Sequence, residues 1–563
     1  MDKLARVFCF SLLLLIAPAL RADPLDDLAR DFWTWRASEM PVSTDDIPRL
    51  ERPAGWIPDW SPAAAARYQQ DLVRFEERWK EIDASSWPVA RQVDYRLMGS
   101  AIARVRWELV VNRAWQRNPD FYLDQTLGAY VLLLLPPPPF GAARSMEIVA
   151  TLRSFSSTLE SARKNLTQPA APFAGLALER LESIRTVLLA STGALKPLLG
   201  REAARELDAA AADAASALES YRAWLAERLP SMPQETAVGR EAYVFFLKNV
   251  ALLPYTPEQL LEIGRLEWAR SVAWETIEQH RNAGLPELEL FKDQQAQMEQ
   301  EAQDELWIRA YLESKDLLRI PSWVQHYRFL PMPGYLAPFE GSAGEADDFT
   351  SPSRLKENCT RYVQPPHPDL GYFSLSMAED PRGIIVHEGV PGHYLQLALS
   401  WAHPDPIRRH YYDSGANEGI GFYAEEMMLQ AGLFDDRPRS REIIANFARL
   451  RALRVEVDVK LALGGFTLDQ AADYLHRSVP MDSKTAHSEA ASFAAGPGQA
   501  ISYQIGKVQI VRLLADARRQ KGDAFSLRAF HDFVWLNGNV PLALQRWEYL
   551  GLKDDLGDAE KLH

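Results

Sequence analysis

Two histidines six residues apart, with a Pro-Gly pair between them, constrain this chain more than any other feature. The stretch reads Ile384-Ile385-Val386-His387-Glu388-Gly389-Val390-Pro391-Gly392-His393-Tyr394. Neutral imidazoles are metal ligands, and a carboxylate directly after the first can take a proton from water at the metal. In the helical form H-E-x-x-H, a step of four brings both imidazoles to one face. Six residues at about 100° each carry the second side chain roughly 120° away from the first. A regular helix over this stretch therefore cannot present both to one ion. Pro391 removes a backbone donor and breaks a helix, and Gly392 accepts the angles that result. The expectation is a helix interrupted at Pro391-Gly392, which swings His393 back towards His387.

A third ligand is expected from Glu418, 25 residues after His393, in Asn417-Glu418-Gly419-Ile420-Gly421-Phe422-Tyr423-Ala424-Glu425. That gap accommodates one helix, a connection and the start of a second helix. Two histidines and a glutamate leave one position open, as in a catalytic zinc site with one Zn2+ per chain. The opposing reading makes His387 and His393 ordinary surface or core histidines and Glu418 the start of an amphipathic helix.

His387-Glu388-Gly389-Val390-Pro391-Gly392-His393, then Glu418-Gly419-x-x-x-Tyr423-Ala424-Glu425, then Pro497-Gly498-Gln499-Ala500-Ile501-Ser502-Tyr503 form an ordered set of motifs. In them the chain resembles the bacterial family labelled domain of unknown function 885, which is grouped with zincin-type metallopeptidases. More distantly, the ligand order is similar to the angiotensin-converting-enzyme and thimet-oligopeptidase groups. The resemblance implies a mainly α, bilobal architecture with a deep cleft, short strands near the metal, and hydrolysis of peptides. The chain departs from the family at Ile420 and Gly421, where Trp and Ala are usual. It departs again at Lys460 and Ala462, in place of the Gly and His of D-x-G-x-H, and at Ser492, in place of the Arg of E-x-x-R-Y.

Before these motifs, the N-terminus reads as an export signal: Lys3 and Arg6, an apolar run from Val7 to Ile16, and small residues up to Ala22. Cys9 lies inside the run, not at its end. Without residues 1–22 the net charge moves from −14 to −16 and Cys359 is the sole cysteine, so no internal disulfide forms. The acidic balance argues against nucleic acid, and no apolar segment reaches the ~20 residues of a membrane span. A soluble periplasmic or secreted protein is expected.

Helical periodicity dominates. Residues 23–232 are read as an N-terminal helical half and 233–563 as the half carrying the metal site, divided near Leu229-Pro230-Ser231-Met232-Pro233. Thr256 and Thr467 are expected to cap helices in capping boxes, and Ser440 to cap a helix ending at Leu463. A charged helix is expected from Leu288 to Lys315. The Pro-rich stretch 318–375 is read as loops with short strands, with Gly371-Tyr372-Phe373-Ser374-Leu375 as an edge strand. Trp535, Pro541 and Trp547 are expected to pack on the second half.

Roles follow from chemistry. Glu388 is the general base; the alternative is a solvated helix charge. Tyr503 can donate to an oxyanion without carrying charge; the alternative is a tyrosine satisfied by a helix carbonyl. His487 is a second candidate donor, and Gln499 either orients substrate or closes the turn at Gly498. Glu425, two helical turns from Glu418, can hydrogen-bond a ligand imidazole or pair with an arginine. Arg382, Arg454 and Lys507 are candidates for a substrate carboxylate, against the default of solvated charge. The expected function is an exported zinc-dependent hydrolase, a metallopeptidase acting on short peptides. The alternatives are a zinc amidohydrolase on a non-peptide amide and a non-catalytic periplasmic peptide-binding protein.

Overall fold

The computed structural model describes residues 23–42, 50–339 and 352–562, with the backbone of 346–347. The expected export signal lies outside the described residues. The fold is mainly helical. Its first core is built by long helices at Pro24–Glu39, Pro62–Lys80, Val89–Arg106, Ala142–Asn165 and Arg201–Arg228, which bury Phe32, Leu72, Leu97, Leu152 and Leu218 together. The last of these helices places alanines along its buried face, including Ala210, Ala211, Ala214 and Ala215. Small side chains there allow the Ala142–Asn165 helix to pack close.

A second core gathers around the motif segments and buries Ile385, Val386, Leu395, Ile420, Phe447 and Trp535. Helices Pro257–Asn282 and Ser440–Leu463 pack along one another, with Gly264 against Val455. Thr256 and Thr467 each form the expected capping box with a glutamine three residues on. The tail divides between the cores: Trp535 belongs to the second, but Leu544 and Trp547 belong to the first. Trp547 thus fastens the two together instead of packing only on the second half. Arg408 reinforces that junction with Asp94 on one side and Glu548 on the other.

Strands are few. Tyr327–Pro331 and Cys359–Val363 pair in parallel, with Ala346–Asp347 antiparallel on the other side of Cys359–Val363. The stretch Gly371–Leu375 is not an edge strand; Tyr372–Glu379 is a helix. A short apolar run carries no decisive period, and distant residues settle it. Asp482 accepts the Tyr372 amide, and the Leu375 amide bonds the Gly371 carbonyl at 2.9 Å. The charged helix starts at Gln294, later than expected, because Asp293 accepts the Ala296 amide as its cap. Ser440 is the first helical residue of Ser440–Leu463, not its cap. Its hydroxyl bonds the buried carboxylate of Asp380.

Candidate metal centre

The interruption inferred from Pro391-Gly392 is present. Arg382–Ile384 continues into a wide π-helical turn, Ile385–Gly389, which carries His387 and Glu388; a new helix, His393–Trp401, then begins at His393 itself. Gly392 is indispensable to the reversal. A Cβ there would sit 1.7 Å from the His387 carbonyl oxygen, so only glycine lets the chain fold back on the residue it must bring close. The two imidazoles end with ring centroids 4.6 Å apart and planes at 78°.

Glu418 comes from the helix Ser414–Gln430, capped by Asp413. This helix packs on Ser502–Lys521 through a glycine contact: a Cβ on Gly419 would lie 2.7 Å from the Gly506 Cα. That close approach sets Glu418 and Tyr503 on facing elements beside the histidines. Glu418 Oε2 is 3.1 Å from His393 Nε2 and 3.3 Å from His387 Nε2. Ligands at 2.0–2.1 Å from a tetrahedral zinc stand about 3.4 Å from one another. The three side chains are buried with their ligand atoms within 4.8 Å of one another, and the two Glu418 distances match that spacing. Gly421 backs the cradle, since a Cβ there would crowd both imidazole Cε1 atoms at 2.9 and 3.0 Å.

Behind the histidines, Glu425 Oε1 accepts from His387 Nδ1 at 2.6 Å and pairs with Arg451 at 2.7 Å. Both readings of Glu425 therefore coexist in one buried relay. It orients the ring so that His387 Nε2 faces Glu418. Arg451, three residues before Arg454 on the same helix face, was not singled out in the sequence.

The electrostatics follow the geometry. Burial lowers the basicity of His387, but Glu418 and Glu425 outweigh it and raise its pKa to about 9. Burial works against ionisation of Glu418, yet the two imidazoles hold it well below the ordinary carboxylate range. For Glu388, burial is again opposed, by His393, His387 and Arg361, and the net shift is downward. Glu388 is thus held as a carboxylate, the form a base requires. Arg361, on the central strand, is a second residue the motifs did not reveal.

Tyr503 stacks on His387, with centroids 6.1 Å apart and planes at 13°, and the Arg454 guanidinium lies 4.4 Å from its ring centre. The loop before it is held by Asp458, fully buried, which accepts the amides of Gly498, Ala500 and Ile501 and the Tyr243 hydroxyl. Asp458 is the first residue of the segment that departs from the family at Lys460 and Ala462; its place in the fold is this anchor. Gln499 closes the turn through its backbone, with its carbonyl accepting the Ser502 amide. His487 faces Glu179 of the first half, Nε2 to Oε2 3.5 Å, and is not part of the three-residue cluster.

Arg382, Arg454 and Lys507 are neither solvated nor available to a substrate carboxylate. Each is buried and committed to carboxylates: Arg382 to Asp380 and Asp436, Arg454 to Glu489, Lys507 to Glu426. Lys460 pairs with Glu456, Ser492 is exposed, and Ile420 and Ala462 are core residues.

A solved structure from Shewanella oneidensis, described as a lipoprotein of unknown function, matches with a TM-score of 0.69 at 16% identity, covering 94% of this chain and 99% of that one. Another, described as a lipoprotein from Colwellia psychrerythraea, matches at 0.74 and 17% identity, over 95% and 99%. These likenesses establish a shared fold. No curated protein matches. The family model described as bacterial protein of unknown function (DUF885) matches residues 49–547. The chain belongs to this family.

Proposed function

We propose that the protein is a zinc-dependent hydrolase cleaving amide bonds in short peptides. The observation that carries the reading is the convergence of His387, His393 and Glu418 from three helical segments, with an ionised Glu388 beside them. These three side chains would hold the ion. Zinc bound there would acidify a water molecule and polarise the scissile carbonyl. Glu388 receives the proton of the attacking water and returns it to the leaving amine. Glu425 keeps His387 in the donor tautomer, and Arg451 compensates the charge of Glu425. Tyr503 donates to the developing oxyanion, and the cation of Arg454 over its ring strengthens that donor.

On this reading the two large cores are the lobes of a zincin-like molecule with the substrate cleft between them. The N-terminal segment directs export to the periplasm or beyond. No helix among the described residues is long and apolar enough to cross a membrane.

The test is elemental analysis with a peptide-library assay on the wild type, Glu388→Gln and His393→Ala. The expected result is one zinc per chain in the wild type and in Glu388→Gln, lost in His393→Ala. Turnover falls at least ~100-fold in Glu388→Gln, the range of a general base. Zinc retained with no hydrolysis by the wild type of any peptide or simple amide would favour a binding protein and sink the enzyme reading.

A further inference from the structure

Fully buried arginines in this molecule are matched to carboxylates: Arg36 to Glu108, Arg382 to Asp380, Arg408 to Asp94 and Glu548. Around one cavity of about 620 Å³, two half-buried arginines and an exposed one have no such partner. Its walls come from residues 111–117, 166–169, 224–228 and 231–238, and they include Arg113, Arg117 and Arg228. Glu235 is the one acidic residue of the lining, and its carboxylate accepts the Ala237 amide of its own loop. Among the described residues, none of the three arginines makes an ion pair. Arg113 Nε is buried with no hydrogen-bond partner there. Arg117 reaches only the carbonyls of Thr236 and Ala237.

Backbone geometry points the same way. Arg113 has φ 54°, in the left-handed region, which side chains other than glycine, asparagine and aspartate seldom adopt. Such outliers cluster at binding sites, where surrounding structure holds them. Burial and the neighbouring charge of Arg113 both depress the basicity of Arg117. Glu235 offsets part of this effect, but neither guanidinium forms an ion pair with it, in a chain of net charge −14. A bound anion would relieve both the repulsion and the orphaned donor.

One part of the cavity wall is apolar, beside the polar Thr167, Gln168 and Ser231. Trp224, Val111 and Met232 contribute to its walls, and Arg228 lies over the Trp224 ring at 4.9 Å. The size is that of a small-molecule site. We propose that this cavity binds a small organic anion, its charged head between Arg113 and Arg117 and its apolar body against Trp224. None of its walls comes from the metal-binding segments, so the site stands apart from the proposed hydrolytic centre.

Titration calorimetry of the full protein with phenyl phosphate, inorganic phosphate and phenol tests this. Phenyl phosphate is expected to bind, inorganic phosphate at least ~10-fold more weakly and phenol not measurably. Arg113→Gln and Arg117→Gln each weaken phenyl phosphate by roughly 10- to 100-fold, the range for a lost hydrogen bond to a charged group. Trp224→Ala weakens phenyl phosphate and leaves inorganic phosphate unchanged. If Arg113→Gln does not fold, Arg228→Ala, on an exposed side chain, replaces it with an expected loss of roughly threefold. No binding of phenyl phosphate by the wild type overturns the proposal. So does binding that both Arg117→Gln and the second arginine variant leave intact, which would place the anion elsewhere. Equal affinity for inorganic and phenyl phosphate would refute the apolar half of the site.

Discussion

Glu425 joins the His387–His393–Glu418 cluster to the body of the fold, and removing its charge has two separable consequences. The side chain is fully buried, 2.6 Å from His387 Nδ1 and 2.7 Å from Arg451. In Glu425→Gln the amide keeps the volume but no longer compensates Arg451, whose guanidinium is itself 3% exposed. Breaking a buried pair from one side costs about 3–5 kcal/mol. Independently, a ligand histidine that loses its carboxylate partner lowers metal affinity by roughly 10- to 100-fold, or about 1.4–2.8 kcal/mol. Arg451→Met in the same background removes the stranded charge, so most of the lost stability returns. Metal affinity does not, because His387 still lacks its partner. Urea unfolding of the metal-free proteins reads the first quantity, and zinc competition with a chromophoric chelator reads the second. Zinc affinity in Glu425→Gln within twofold of wild type would refute the positioning role. Affinity recovered together with stability in the double variant would show that Glu425 acts only through packing.

Three further outcomes follow from the geometry. Gly392→Ala places a methyl where the His387 carbonyl stands, 1.7 Å away; zinc stoichiometry is expected to fall below about one-tenth of wild type, and full occupancy would disprove the need for glycine in the reversal. Metal binding must displace the proton that His387 holds up to about pH 9; zinc affinity is expected to rise tenfold per pH unit from 7 to about 9 and then level, whereas a flat profile by calorimetry would contradict a protonated metal-free site. Burial raises Asp458, Asp413 and Glu301 to about 7 and Asp304 to about 6, above their ordinary values near 4. Their protonated forms stabilise the fold fully below pH 4, and that contribution is lost as pH rises through 6 and 7. The metal-free protein is therefore expected to melt at a lower temperature at pH 8 than at pH 5, and the reverse order would refute it.

The clustering of His387, His393 and Glu418 was legible because a six-residue step cannot work on a regular helix, and Pro391-Gly392 offers a specific remedy. Capping boxes at Thr256 and Thr467 were equally legible, since their partners lie three residues away. Tyr372–Glu379 was not: its first amide is capped by Asp482, more than a hundred residues along the chain. Ser440 looked like a cap and instead serves Asp380. The charges were the least readable group. Arg382, Arg454 and Lys507 are all cationic candidates in the sequence, and only their placement against Asp380, Glu489 and Glu426 shows them committed.

Local order in the sequence therefore determined the helical class, the family and the identity of the three clustered side chains, because helix period, backbone breaks and capping act over a few residues. Tertiary structure alone decided which charges neutralise one another. Only packing brought Arg451 to Glu425, Asp458 to the loop before Tyr503, and Gly419 against Gly506. It also left Arg113 and Arg117 beside a cavity with no ion-pair partner among the described residues. Electrostatic pairing depends on distance in space and on burial, and neither is encoded in any short stretch of residues.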